Sequence, residues 1–349
     1  EGITFADANW LIGDRSIGYQ PIYVMVTGAA GSEATSDTAR MSRQSPAHIQ
    51  LIGVDQIDFH RNTFTRLGGI GMEFRHAASN CEVIGNEFHT IAGAGIQMGD
   101  MTRQRTEDPR EAVSKILVEN NYIHDIGLEY PDGPGISLFF TQDVAIRHNE
   151  FSHLPYSAVS VGWGWGRPEQ QNGPTLARGN RVEMNHIHNH MLVQSDGSAI
   201  YTTGGQPGLI IQGNHIHDSG ARISPGIYLD RGSRGVTVVN NVVHDTECNM
   251  MIKGTDQTIR HNFWQEEHST RRPAPTHYVY WGVDRLLWRE ADNHVIMDQV
   301  SMPASVIRNA GLQPEYQYLS PPARPLDFQA PTAPTDHGCF RVGGFRPLI

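Results

Sequence analysis

Short runs of apolar residues, alternating with polar ones, recur along residues 46–264, and each run closes on an Asn. Ile-Asp-Phe precedes Asn62, Leu-Ile-Ile precedes Asn214 and Val-Thr-Val-Val precedes Asn241. Two places beyond each Asn stands an apolar or aromatic residue: Asn62-Thr-Phe, Asn86-Glu-Phe, Asn121-Tyr-Ile, Asn149-Glu-Phe, Asn185-His-Ile, Asn214-His-Ile, Asn241-Val-Val and Asn262-Phe-Trp. Successive Asn lie 24, 35, 28, 36, 29, 27 and 21 residues apart, a repeat length that signals a solenoid. A second motif of small residue, Ile or Val, polar and apolar follows a turn later: Gly95-Ile-Gln-Met, Gly135-Ile-Ser-Leu, Ala158-Val-Ser-Val, Ala199-Ile-Tyr-Thr and Gly226-Ile-Tyr-Leu. Strands this short, with period-2 alternation and turns between them, predict an all-β chain coiled as a right-handed parallel β-helix.

The organisation follows from where the repeat holds. We expect a β-helix domain over 1–310, with clear coils over 46–264, and a Pro-rich tail over 311–349 that packs on the helix or caps it. Asn293-His-Val-Ile and Val306-Ile-Arg-Asn are candidates for a last coil. Over residues 1–45 the pattern is loose, with a β-like stretch from Pro21 to Val26. Longer intervals place loops at Asp100 to Ser114, Leu128 to Pro134 and Gly162 to Gly179, and solenoid insertions collect on a binding face.

Composition narrows the function. Among 349 residues, 27 are basic and 37 acidic, a net charge of −10 that argues against nucleic acid as a partner. No run of 18 apolar residues occurs, so no membrane-spanning helix is expected. Cys81, Cys248 and Cys339 form no CxxC pair, and Cys81 and Cys248, inside the repeats, are expected to be buried. The opening Glu-Gly-Ile-Thr-Phe has no signal-peptide pattern.

Eight Asn at one repeat position suit a ladder in which each amide serves the copies above and below, about 4.8 Å away. The same register absorbs His89, His124, His188, His217 and His244, three residues after the Asn, with Thr90, Asp125, Asn189, Asp218 and Asp245 at the following turn. They read as scaffold. No HExxH or similar close set is present, so neither a metal nor a cofactor is expected.

Chemistry is sought where residues depart from the repeat. Aligning the second motif gives an outward column of Gln97, Ser137, Ser160, Tyr201, Tyr228 and Met251. Two places on stand Gly99, Phe139, Gly162, Thr203, Asp230 and Lys253, so Asp230 is the lone carboxylate of that column. Tyr201, Tyr228, Trp163 and Trp165 suit the stacking of sugar rings along an open groove. Asp196 and Asp132 occupy matching Asp-Gly turns, a position where other coils carry Ala92, Pro155 and Ile223. Asp196 and Asp230 come from adjacent coils and are the candidate pair for acid and base or nucleophile work on a glycosidic bond. Seven register places separate them, roughly 20 Å of extended chain, so they meet only if the Asp196 turn curls back over the sheet.

The run Pro155-Tyr-Ser-Ala-Val-Ser-Val-Gly-Trp-Gly-Trp-Gly, with Asp196-Gly-Ser-Ala-Ile-Tyr, Gly226-Ile-Tyr-Leu-Asp-Arg and Asn309-Ala-Gly-Leu-Gln-Pro-Glu-Tyr, resembles glycoside hydrolase family 141 and the β-helix carbohydrate-active proteins around it. The resemblance implies hydrolysis of plant-type polysaccharide, fucosidase-like or xylanase-like, in a secreted or periplasmic protein. It places the catalytic carboxylates on Asp196 and Asp230. Arg231 and Lys253 would then hydrogen-bond substrate, with Asp132 beside them. Two rivals remain. A polysaccharide lyase would use a Lys or Arg base near a bound uronate, which Lys253 keeps open. A non-catalytic glycan-binding module would use the aromatic column alone.

Overall fold

The computed structural model describes residues 1–10, 19–20, 23–27, 42–165, 175–220, 223–265, 278–280, 288–296 and 301–320. Cys339, most of the Gly162 to Gly179 loop and the tail beyond Ser320 lie outside them. Among the described residues the chain winds into a right-handed parallel β-helix with sheets of 10, 11 and 9 strands. The strand after each Asn joins the first sheet, the second motif forms the second, and the apolar run before each Asn forms the third. Pairing runs in the register set by the repeat. Ile96, Ile136, Val159, Ile200, Ile227 and Met250 lie side by side, as do Gln97, Ser137, Ser160, Tyr201, Tyr228 and Met251.

The ladder explains how a coil turns so sharply. The residue before each Asn has a positive φ, including non-glycines such as His148 at 53° and Met184 at 52°. A left-handed residue with a Cβ costs about 1–2 kcal/mol. The Asn that follows offsets this. Its backbone amide and side-chain Nδ2 both donate to the Oδ1 of the next Asn, at 2.8 and 3.0 Å from Asn62 to Asn86 and 3.0 Å twice from Asn149 to Asn185. Nδ2 also reaches a carbonyl of the preceding coil, Val83 for Asn121 and Val118 for Asn149. The series runs one rung past the eight expected, to Asn293. A second set of turns places Thr90, Asp125, Asn189, Asp218 and Asp245 at φ 46–56°, which is why short polar residues follow the histidines.

Inside, the coils stack their apolar faces into one continuous core, with Phe64 and Phe88 parallel at 4.3 Å and Ile123, Phe151, Ile187, Ile216, Val243 and Trp264 also buried. Cys81 and Cys248 are buried too.

At the ends one expectation fails. Thr4–Ala8 pairs with Thr63–Leu67, so the loose N-terminal zone supplies a strand of the helix. His294–Ile296 pairs with Phe263–Gln265 as a late rung, whereas Val306-Ile-Arg-Asn falls in a short α-helix, Ala304–Asn309, and forms no coil. Pro303 before it and Gly311 beyond it frame the helix. The chain then crosses the outside of the coils, where Gly311 N bonds Met184 O, Gln313 exchanges bonds with Asn120 and Ser320 Oγ donates to Glu150.

Candidate active site

Each coil turns from the second sheet to the third over a few residues, and side chains there project away from the helix core. Asp230 stands at that point, directly after the strand Ile227–Leu229, with its amide bonded to Thr202 O and its carbonyl accepting from Ser233 N. Its side chain is held on both oxygens. Tyr201 Oη donates to Oδ2 at 2.5 Å, and Lys253 Nζ lies 3.2 Å from Oδ1. Trp165 Nε1 in turn donates to Tyr201 Oη at 2.7 Å. Lys253 also sits 4.8 Å above the Tyr228 ring. One donor chain and one cation thus converge on a single carboxylate.

The column read as an open sugar platform is covered. Tyr201 is 3% exposed, Tyr228 0% and Asp230 7%. Tyr201 and Tyr228 belong to a second apolar cluster outside the coil, with Tyr23, Met25, Phe139, Trp163 and Met251. Two segments supply the roof. A three-stranded antiparallel unit, Tyr19–Gln20, Met25–Thr27 and Ser42–Gln44, brings Tyr23 within 6.3 Å of the Phe139 and Tyr156 rings and 6.0 Å of Trp163. The Gly-Trp-Gly-Trp run brings Trp163 against Phe139 and Trp165. Gly162 is needed there: its φ is 97°, and a Cβ would lie 1.9 Å from Thr203 O. Tyr201 and Tyr228 therefore meet edge to face at 5.2 Å and offer no free ring face. The alternation of the strand carries no information about what packs over its outer side.

Asp196 is exposed, at the tip of a turn with φ 58°. Its amide bonds Ile223 O, and its own carbonyl accepts from the Tyr156 hydroxyl at 3.3 Å. Gly197 lets the turn close, since a Cβ there would come within 2.6 Å of the Tyr156 ring. Burial, then Asp230 and then Asp196 push the Tyr228 phenol well above its ordinary range. Burial, then Asp196, Asp132 and Asp230 do the same to Tyr156. Three carboxyls from three coils therefore act on one group of phenols, all of which stay protonated. Asp132 is 4% exposed, and its Oδ2 accepts from the Val24 amide at 2.7 Å, tying the roof to the helix. Arg231 is exposed, while its carbonyl accepts from Thr203 Oγ1 and Gly204 N. Tyr156 and Tyr23 were not singled out from the sequence. Their signals are slight: Tyr156 lies inside the Pro155-Tyr-Ser run, and Tyr23 inside the apolar stretch from Pro21 to Val26.

Comparison with known proteins agrees on the architecture. A family model for the right-handed β-helix region matches residues 24–167. A solved structure named "Glycoside hydrolase" superposes with a TM-score of 0.59 at 24% identity, over 79% of this chain and 42% of that one. A complex of XylC with xylose gives 0.47 at 12% identity over 72% of this chain and 49% of its own. The lacto-N-biosidase of family GH136 from Eubacterium ramulus gives 0.37 at 13% identity over 77% and 48%. No curated protein sequence matches. The chain thus spans less than half the length of each of these structures, and the likeness is one of fold.

Proposed function

We propose that the protein is a glycoside hydrolase whose reaction centre is Asp230, with Asp196 as its partner carboxyl. The observation that carries the reading is the Asp230 side chain, buried between the Tyr201 hydroxyl and the Lys253 ammonium. One hydroxyl donor and one ion-paired cation hold the carboxylate ionised, which suits a group that accepts a proton from water or attacks the anomeric carbon. The partner must protonate the leaving oxygen, and Asp196, exposed on a turn of the adjacent coil, suits that task. Trp165, Tyr156 and Arg231 line the approach from solvent, whereas Tyr201 and Tyr228 serve as inner positioning groups. Trp163 packs under the roof and supports Trp165. Because Tyr23 and Met25 close over one side of the face, the arrangement favours the end of a glycan chain over its middle.

The lyase reading loses its base. Lys253 is engaged with Asp230, so it offers neither a free amine for proton abstraction nor an unspent cation for a uronate. Hydrolysis of a panel of aryl glycosides and oligosaccharides tests the proposal. Parent protein should release a monosaccharide from chain ends, and Asp230→Asn and Asp196→Asn should each lower the rate by about 10³-fold. Full activity in Asp230→Asn, or no hydrolysis by the parent across the panel, removes the assignment.

A further inference from the structure

The first sheet carries a second concentration of chemistry, on the outer face of a different side of the helix. Strands His186–His190 and His215–Ser219 pair with His186 beside His215 and His188 beside His217, and His244 follows on the next coil. The histidine file read as scaffold from its repeat position therefore has a neighbouring column, His186 and His215, that the repeat does not require. Glu150, Tyr122 and Glu87 occupy that column on earlier coils.

Two features go beyond ring stacking. First, ring nitrogens point at ring nitrogens: Nε2 of His186 lies 2.9 Å from Nε2 of His217, and Nε2 of His215 lies 2.9 Å from Nε2 of His244. Second, the opposite nitrogens are fixed by acceptors. His217 Nδ1 is 2.8 Å from Asp218, His244 Nδ1 is 2.7 Å from Asp245 and His188 Nδ1 is 2.7 Å from the Asn189 side chain. For His217 and His244 the partner is a carboxylate, which can only accept, so the proton sits on Nδ1 and the Nε2 lone pair faces the neighbouring ring. That is the carboxylate–imidazole pairing which orients metal ligands and raises their basicity. One ligand atom each from His186, His215 and His217 lies within 4.8 Å of the others, and Glu150, His186 and His188 form an adjoining set. Tetrahedral Zn²⁺ with nitrogen ligands needs an N···N spacing of roughly 3.3 Å; the His186–His217 pair stands at 2.9 Å, and the His215 ligand atom lies within 4.8 Å of both.

We propose that His186, His215 and His217 hold one divalent transition-metal ion, with Asp218 as the group that positions His217. Imidazole donors select Zn²⁺ and its neighbours over Mg²⁺ or Ca²⁺. The side chains of His186 and His217 are 27% and 17% exposed, so an ion can reach them from solvent without unfolding. Because the ligands come from two coils, the ion would cross-link the helix on a face apart from Asp230.

Equilibrium dialysis of the tag-free chain against Zn²⁺, with metal analysis and a Co²⁺ absorption spectrum, tests the site. One ion per chain is expected, with ligand-field bands of nitrogen coordination and a raised Tm. His217→Gln should lose the ion, Asp218→Asn should weaken it by about 10- to 100-fold, and His89→Gln, in the same file but outside the cluster, should bind as the parent does. No stoichiometric ion in the parent overturns the proposal. So does undiminished binding by His217→Gln or Asp218→Asn, or an equal loss in His89→Gln. The parent's stoichiometry and spectrum decide the matter even if a variant fails to fold.

Discussion

Lys253 and Asp230 form an ion pair between adjacent coils, Nζ 3.2 Å from Oδ1, with only 17% and 9% of their side chains exposed. A pair this enclosed is costly to desolvate, and replacing both members by apolar groups is often neutral. A coil face that needed only stability would be served as well by Leu or Met. The pair makes chemical sense when the carboxylate has work to do, and it sets up a test that separates scaffold from mechanism.

Lys253→Met leaves Asp230 buried beside Tyr201 without its cation, and should cost about 3–5 kcal/mol of stability. The double variant Asp230→Asn with Lys253→Met should recover most of that loss, because no unpaired charge remains. It should nevertheless show no glycoside hydrolysis. Urea midpoints for the two single variants and the double variant measure the coupling. If Lys253→Met matches the parent in stability, the pair is not the enclosed contact described here.

Tyr201→Phe removes the hydroxyl that donates to Asp230 and accepts from Trp165. Loss of one hydrogen bond to a charged group should destabilise the fold by about 2 kcal/mol. If Asp230 is the reacting carboxylate, kcat should fall by about 10²-fold with little change in KM, since Tyr201 sits behind Asp230 rather than against substrate. A change confined to KM would place Tyr201 in a binding subsite instead.

In the ladder, Asn185 accepts from the amide and side chain of Asn149 and donates to Ile146 O and Asn214. Asn185→Ala strands the buried Asn149 amide and a carbonyl, at about 1–3 kcal/mol for each unsatisfied group. We expect a total loss of about 3–5 kcal/mol by denaturant titration. Asn293→Ala, at the last described rung of the series, should cost less, because its own side chain serves fewer partners among the described residues.

The helical repeat was legible because it obeys a strict geometry. A positive-φ turn every coil demands an Asn to repair it, and strand register follows from counting between Asn62 and Asn262. Asp230 stands out in the sequence for the complementary reason, as a carboxylate where the repeat calls for none. What packs over the second sheet was not. Tyr23 reaches Phe139 from more than 100 positions away in sequence, through a segment with no repeat signal, so the covered site cannot be read from local alternation. His186 and His215 were missed for a related reason. Reading one register column at a time hides a cluster that forms between two columns.

The roof itself should respond to pH. Asp132 is buried where its Oδ2 holds the Val24 amide, and burial pushes its carboxyl from the ordinary 3.8 up to about 6, against the pull of that hydrogen bond. A carboxyl with a raised folded-state value binds its proton more tightly folded than unfolded. Its contribution is therefore fully present below about pH 4 and lost as pH rises through about 6. The difference corresponds to about 3 kcal/mol, and at neutral pH Asp132 works against the attachment of residues 23–25. Asp132→Asn keeps the acceptor and removes the charge, so it should flatten the pH dependence of Tm between pH 4 and 6 and raise Tm at pH 7. Amide hydrogen exchange at Val24 should slow in the same variant at neutral pH. An unchanged Tm profile, with Val24 exchange as in the parent, would show that Asp132 does not anchor the roof.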